Sequence, residues 1–119
     1  MDTEEIIKTL YENFNERNID AVLLLMHDNV QWANGWKGGF VYGHEGIRNY
    51  WTAQWKEITP FVYPKSVMDI GQGKIEVIVH QVAHDKEGNL LFDGNIKHYF
   101  LVESGLVRKF EIEELNKQV

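Results

Sequence analysis

Lys74–Glu113 reads KIEVIVHQVAHDKEGNLLFDGNIKHYFLVESGLVRKFEIE, and this stretch decides the fold. Lys74 to Asp85 is dense in isoleucine and valine, which suit a pleated surface, and it predicts one long strand. Lys86-Glu-Gly-Asn89 supplies a hairpin turn and Leu90 to Glu103 the returning strand. Ser104-Gly105 then turns the chain into Leu106 to Glu113. Just upstream, Phe61 to Ile70 reads as another extended segment, closed by Gly71 and Gly73. The second half of the chain is therefore a run of antiparallel strands.

The first half has a different period. Ile6, Ile7, Leu10, Tyr11 and Phe14 form the stripe of an amphipathic helix over residues 3–17, with Thr3 as its expected N-cap. Asn18 restarts a short apolar helix, Ile19 to Met26, which His27-Asp28-Asn29 ends. Val30 to Asn34 reads as a strand, and Gly35, Gly38 and Gly39 punctuate a loop. After Gly43, the spacing of Ile47, Tyr50, Trp51, Gln54, Trp55 and Ile58 predicts a third helix, which Pro60 stops. Helices first and strands after is the α+β pattern. Long twisted strands that curl around helices leave a cone with a mouth at one end, and pockets form in such mouths.

Composition removes several classes of function. The length of 119 residues suits one domain spanning 1–119. A net charge of −6 with no basic block argues against nucleic acid and against an anionic membrane surface. The absence of cysteine excludes disulfides and thiolate chemistry. Ala21 to Met26 is the longest aliphatic run, far short of the ~20 residues that span a bilayer. The acidic start MDTEEIIK is unlike a secretory signal, so cytoplasmic residence is expected.

The order of these pieces resembles a known family. The opening helix, the short helix from Asn18-Ile-Asp20 through Leu25-Met-His-Asp28-Asn29, and the strand after it look like its first third. Gly43-His-Glu-Gly-Ile-Arg-Asn-Tyr-Trp51 and Tyr99-Phe-Leu-Val-Glu-Ser-Gly-Leu-Val107 extend the likeness over nearly the whole chain. Together they resemble the nuclear-transport-factor-2-like superfamily, on its SnoaL-like and ketosteroid-isomerase-like side. The resemblance implies a cone-shaped α+β barrel, its helices packed in the concave face of a curved, largely antiparallel sheet. It also implies a deep apolar pocket, and often a homodimer through the outer sheet face.

Fold does not supply function, so site residues are carried over one at a time. Ketosteroid isomerases use an aspartate base with a tyrosine and a protonated aspartic acid as oxyanion donors. By resemblance these positions fall on Asn34, on Leu10 (one residue off Tyr11) and on His98. All three depart, so that route to isomerisation is not expected here. The resemblance also turns His98 towards the cavity and lets Tyr50 present an aromatic to it.

Strand alternation gives the remaining expectations. Leu106, Arg108, Phe110 and Ile112 share the buried face of the last strand, which makes Arg108 an inward charge in need of an anion. Ile96, His98, Phe100 and Val102 share a face on the strand before. Pairing across the hairpin is read as adding Ile78, His80, Val82 and His84 to that face. Val77, Val79, Gln81 and Ala83 then face outward beneath a second subunit, although a slip of one residue would reverse both sets. His80 and His84 are too far apart on a strand, ~13 Å, to share a metal, and neither metal nor cofactor is expected.

His98, His80 and Asn34 are thus the candidate catalytic residues, the imidazoles as acid or base and the amide as oxyanion donor. Asp93 or Glu12 would orient an imidazole or pair with Arg108. Trp32, Trp36, Tyr50, Phe100 and Arg108 are the candidate ligand contacts. All four tryptophans lie between Trp32 and Trp55, which concentrates rigid aromatic surface around one cavity, while Trp51 and Trp55 read as core. The expected function is a small-molecule pocket, with an isomerase, dehydratase or cyclase moving protons on a carbonyl or hydroxy compound. A non-catalytic binding module and a protein-interaction adaptor are the alternatives.

Overall fold

The first helix, α1 (Thr3–Asn15), starts one residue earlier than its apolar stripe suggests, because Asp2 and not Thr3 is the N-cap. The Glu5 N–H donates to the Asp2 carboxylate at 2.8 Å, and the Glu5 side chain reaches back to the Asp2 N–H, a reciprocal capping box. Arg17 ends the helix in the left-handed region at φ 63°, a costly conformation for a side chain with a Cβ. Its guanidinium offsets that cost by donating to the carbonyls of Phe14 and Pro60 while lying against the Phe14, Trp55 and Phe61 rings. A computed structural model describes residues 1–114.

The second helix, α2 (Ile19–Leu23), is shorter than the apolar run predicts. Pairing of Met26 with Val107 begins the first strand there, and the Val107 N–H donates to the Leu25 carbonyl at 2.8 Å. Tertiary pairing wins over local helix preference, as expected for a helix this short. The strand β1 (Met26–Ala33) is followed by β2 (Phe40–Tyr42), an unexpected antiparallel partner inside the stretch read as loop. Next come α3 (Gly43–Glu57), β3 (Ile58–Gly71), β4 (Lys74–Asp85), β5 (Leu90–Glu103) and β6 (Leu106–Glu114).

One curved six-stranded sheet results, in the order β2-β1-β6-β5-β4-β3, antiparallel except where β1 runs parallel to β6. Pro60 does not merely stop the third helix, since it lies inside β3 opposite Ala83. On this edge strand the Asn15 amide accepts from the Val62 N–H and donates to the Val62 carbonyl, at 2.9 and 2.8 Å. Pro60 and Pro64 are each two residues from Val62 and point the same edge outward, where a missing N–H costs no ladder bond. A helix side chain thus covers an edge that would otherwise recruit another chain.

The β4–β5 register corrects the expected parity. Val77 pairs with His98, Val79 with Ile96 and Ala83 with Phe92, so the odd residues of β4 share the inward face of His98. Val77 and Val79 are completely buried, not outward beneath a partner, and His80 and His84 turn outward. Directly opposed strand residues share a face, so one residue of register decides the whole set.

Arg108 is corrected for another reason. Leu101 pairs with Lys109 but Val102 pairs with Val107, which leaves Arg108 as the extra residue of a β-bulge. The alternation breaks there, and Val107 and Phe110 are both buried while Arg108 donates to the Asn29 carbonyl at 2.9 Å on the surface. The helices pack in the concavity, where Ile7, Leu10, Ile47 and Trp51 from α1 and α3 meet Val30, Val77, Phe100 and Val107 of the sheet. Each such aliphatic side chain contributes about 1.5–3 kcal/mol by leaving water.

Candidate functional site

The concavity is not filled to the end of the strands. A cavity of about 320 Å³ remains between α1, α3 and the inner sheet face, within the range of small-molecule sites. Its wall is largely aromatic: Phe14, Trp32, Trp36, Tyr50, Trp51, Phe92 and Phe110 all line it. Trp32 stacks on Phe110 at 4.0 Å between centroids and meets Trp51 edge-on at 5.5 Å, which fixes the floor. Among the described residues no aspartate, glutamate, lysine or arginine lines the cavity.

One polar pair stands out on this wall. The Tyr11 hydroxyl and His98 Nδ1 lie 2.7 Å apart, joining α1 to β5 across 87 positions of sequence. Both residues are buried, and the imidazole also meets the Phe110 ring edge-on at 4.7 Å. Burial pushes the His98 imidazole down to about 3, so it stays neutral at ordinary pH. The same burial pushes the Tyr11 phenol well above its ordinary value, so it stays protonated. Nε2 of His98 has no protein partner among the described residues. The proton between the two groups has two positions: the phenol donates to Nδ1 and leaves Nε2–H a donor, or Nδ1–H donates to the phenol and leaves Nε2 an acceptor.

A second polar group sits on α3. The Gln54 amide donates to the Tyr50 hydroxyl at 3.3 Å, and burial raises the Tyr50 phenol, opposed by the N–H groups of Gly35 and Trp36 and by Gln54. The loop beside it is held by Asn34, whose side-chain oxygen accepts from the N–H of Trp36 at 3.0 Å and of Lys37 at 2.7 Å. A Cβ at Gly35 would lie 2.9 Å from Ile112 Cδ1, the tip of a side chain that can turn aside. These local bonds place the Trp36 indole on the cavity wall, with Lys37 Nζ 4.3 Å from its ring centre.

A family profile for the SnoaL-like domain matches residues 7–89, well over half of the chain. The chain belongs to the SnoaL-like family. Three solved structures share this SnoaL-like architecture. TerC, co-crystallised with polyporic acid, superposes with a TM-score of 0.82 at 20% identity, covering 92% of this chain and 88% of that one. A nuclear-transport-factor-2-like protein of unknown function from Burkholderia pseudomallei gives 0.82 at 19% identity, over 93% and 88%. A Catenulispora acidiphila protein with a ketosteroid-isomerase-like fold, in complex with trimethylamine, gives 0.82 at 14% identity, over 94% and 86%. At these identities the likeness is one of fold. No curated protein sequence matches the chain.

The expected residues of this SnoaL-like site divide by position. His98, Trp32, Trp36 and Tyr50 line the cavity together. Phe100 does not, because it is packed behind the wall against Tyr11, Trp32 and Phe110. Asn34 spends its oxygen on its own loop and is not part of the lining. His80 is on the outer face, 2.5 Å from Asp93, and Arg108 is at the bulge.

Three polar lining residues escaped the sequence reading: Tyr11, Gln54 and Gln81. Tyr11 had a signal, since a phenol on the buried stripe of α1 needs a partner for its hydroxyl. Gln54 also sat on the apolar stripe of α3, and Gln81 among the valines of β4. Among the described residues no group of three or more histidines and carboxylates gathers as a metal would need. No helix among them is long and apolar enough to cross a membrane.

Proposed function

We propose that this SnoaL-like chain binds an uncharged, largely apolar carbonyl or hydroxy compound and moves protons on it, as an isomerase, dehydratase or cyclase. The observation that carries the reading is the neutral Tyr11–His98 pair on the wall of a cavity that, among the described residues, no charged side chain lines. Burial opposes an imidazolium, so the pair works best by passing protons without separating charge. As Nε2 takes a proton from a carbon beside a carbonyl, Nδ1 passes its own to the phenol oxygen. The phenol then releases its hydroxyl proton to the carbonyl oxygen, and the ketone leaves as the enol with the pair's charge unchanged. The polyporic acid and trimethylamine in the related structures indicate that the fold accommodates small molecules.

A second reading is a binding module without turnover. It draws support from the absence of a carboxylate base among the described lining residues and from the weak basicity of His98. Thermal shift with aromatic ketones and the matching carboxylates, followed by deuterium exchange at the α-carbon in D₂O, tests both. The uncharged ketones raise the melting midpoint and the carboxylates do not. Exchange is lost in Tyr11→Phe and His98→Gln. Binding without exchange selects the module, and a response to carboxylates alone sinks both readings.

The domain is further proposed to fold as one unit over 1–119 and to pair with a second copy through its outer sheet face. Ile78, Val82 and Tyr99 are half-buried there in the isolated chain, and sedimentation that finds only monomer at micromolar concentration removes the pairing. Asn34 is proposed to act by holding the Trp36 loop, so Asn34→Ala weakens ligand binding no more than Trp36→Ala does.

A further inference from the structure

Gln81 is the polar side chain of β4 that lines the cavity, in a row whose other inward members are Ile75, Val77, Val79 and Ala83. Its strand partners are Val62 on one side and Gly94 on the other, so no polar side chain stands directly beside its amide. The amide makes no side-chain hydrogen bond to the described residues, although it is only partly exposed. That exposure leaves water as its partner, so a ligand hydroxyl that replaces the water keeps the hydrogen bond whereas a plain ring strips it.

The position is defined relative to His98. His98 pairs with Val77, four residues along β4 from Gln81, which corresponds to about 13 Å of strand. The Val79–Ile96 row lies between them and is apolar. We propose that Gln81 is a specificity-determining residue, reading a second polar group at the far end of an elongated, uncharged aromatic ligand. This inference rests on the reading of the cavity given above, with His98 receiving the first group. An amide presents donors and an acceptor together, so a hydroxyl is the group it matches best.

The test compares 4-acetylbiphenyl with 4-acetyl-4′-hydroxybiphenyl, which carry a ketone at one end and differ only in a hydroxyl at the other. Affinities are read by tryptophan quenching in the wild-type protein and in Gln81→Met, which keeps the side-chain length and removes the amide. The hydroxylated compound binds the wild type about ten-fold more tightly than the plain ketone, and Gln81→Met abolishes that gap, read as the ratio of the two affinities within each protein. Gln81→Asn, a shorter amide, retains part of the gap and guards against a folding defect in the methionine variant. Equal affinities in the wild type, or a gap that survives in Gln81→Met, overturns the assignment and leaves the cavity reading standing. Failure of both compounds to bind at any concentration overturns the cavity reading and this inference with it.

Discussion

His98 and His80 lie on adjacent strands, and the sequence offered them equal claims to chemistry. The structure separates them by face. His98 points inward, loses water, and has a phenol as its partner at 2.7 Å. His80 points outward, keeps about a third of its side chain exposed, and has the Asp93 carboxylate as its partner at 2.5 Å. The same side chain is thus a neutral hydrogen-bonding group in one place and one half of a solvated pair in the other. What differs is one residue of strand register, which fixes dielectric and partner together.

The largest consequence is in the acid range. The folded-state pKa of His98 is depressed to about 3 from an unfolded value near 6.5, so between these limits the unfolded chain binds the extra proton. Stability from this residue is fully present above about pH 6.5 and is lost as pH falls towards 3, by at most about 1.4 kcal/mol per pH unit. Urea unfolding of the wild type and His98→Leu across pH 4–7 checks it. The wild-type curve falls more steeply with acid, and parallel curves would place the imidazole in water.

At neutral pH, His98→Leu costs about 2–3 kcal/mol because it strands the Tyr11 hydroxyl in an apolar wall. His80→Leu removes a pair screened by solvent and changes stability by less than about 1 kcal/mol. If the two losses are equal, the contrast between the faces fails. Tyr11→Phe is a milder break, about 1–2 kcal/mol, because Nδ1 loses its partner while the ring and its packing against Phe100 stay. A Tyr11→Phe, His98→Leu double variant close in stability to His98→Leu alone shows that the two residues act as one unit.

The fold was legible because its signals were redundant. The stripe of α1, the stripe of α3 and the valine-rich hairpin each implied their element, and their order implied the architecture. The site was less legible because it depended on which way single residues face. The parity of β4 needed the register with β5, and both of its faces carried apolar residues. The bulge at Arg108 left no glycine or proline to mark it. Asn34 read as an oxyanion donor, but its short side chain satisfies neighbouring N–H groups instead, a common outcome for asparagine before a glycine-rich turn. Tyr11 and His98 became a pair only when the helix docked, since 87 positions separate them.

The smallest effect concerns Arg108, and it sharpens the contrast between faces most finely. Simple alternation makes this guanidinium an inward clamp for an anionic ligand, whereas the bulge makes it a surface donor to the Asn29 carbonyl. An exposed hydrogen bond of this kind competes with water, so Arg108→Ala changes stability by no more than about 0.5 kcal/mol. It also leaves the thermal response to uncharged ketones untouched, since the side chain does not line the cavity. The informative measurement is the response to aromatic carboxylates. A carboxylate that stabilises the wild type but not Arg108→Ala would mean that β6 can slip out of its bulge and swing the charge inward. The neutral cavity would then be one of two arrangements of the strand. A flat response in both proteins fixes the bulge as the reason the cavity carries no charge.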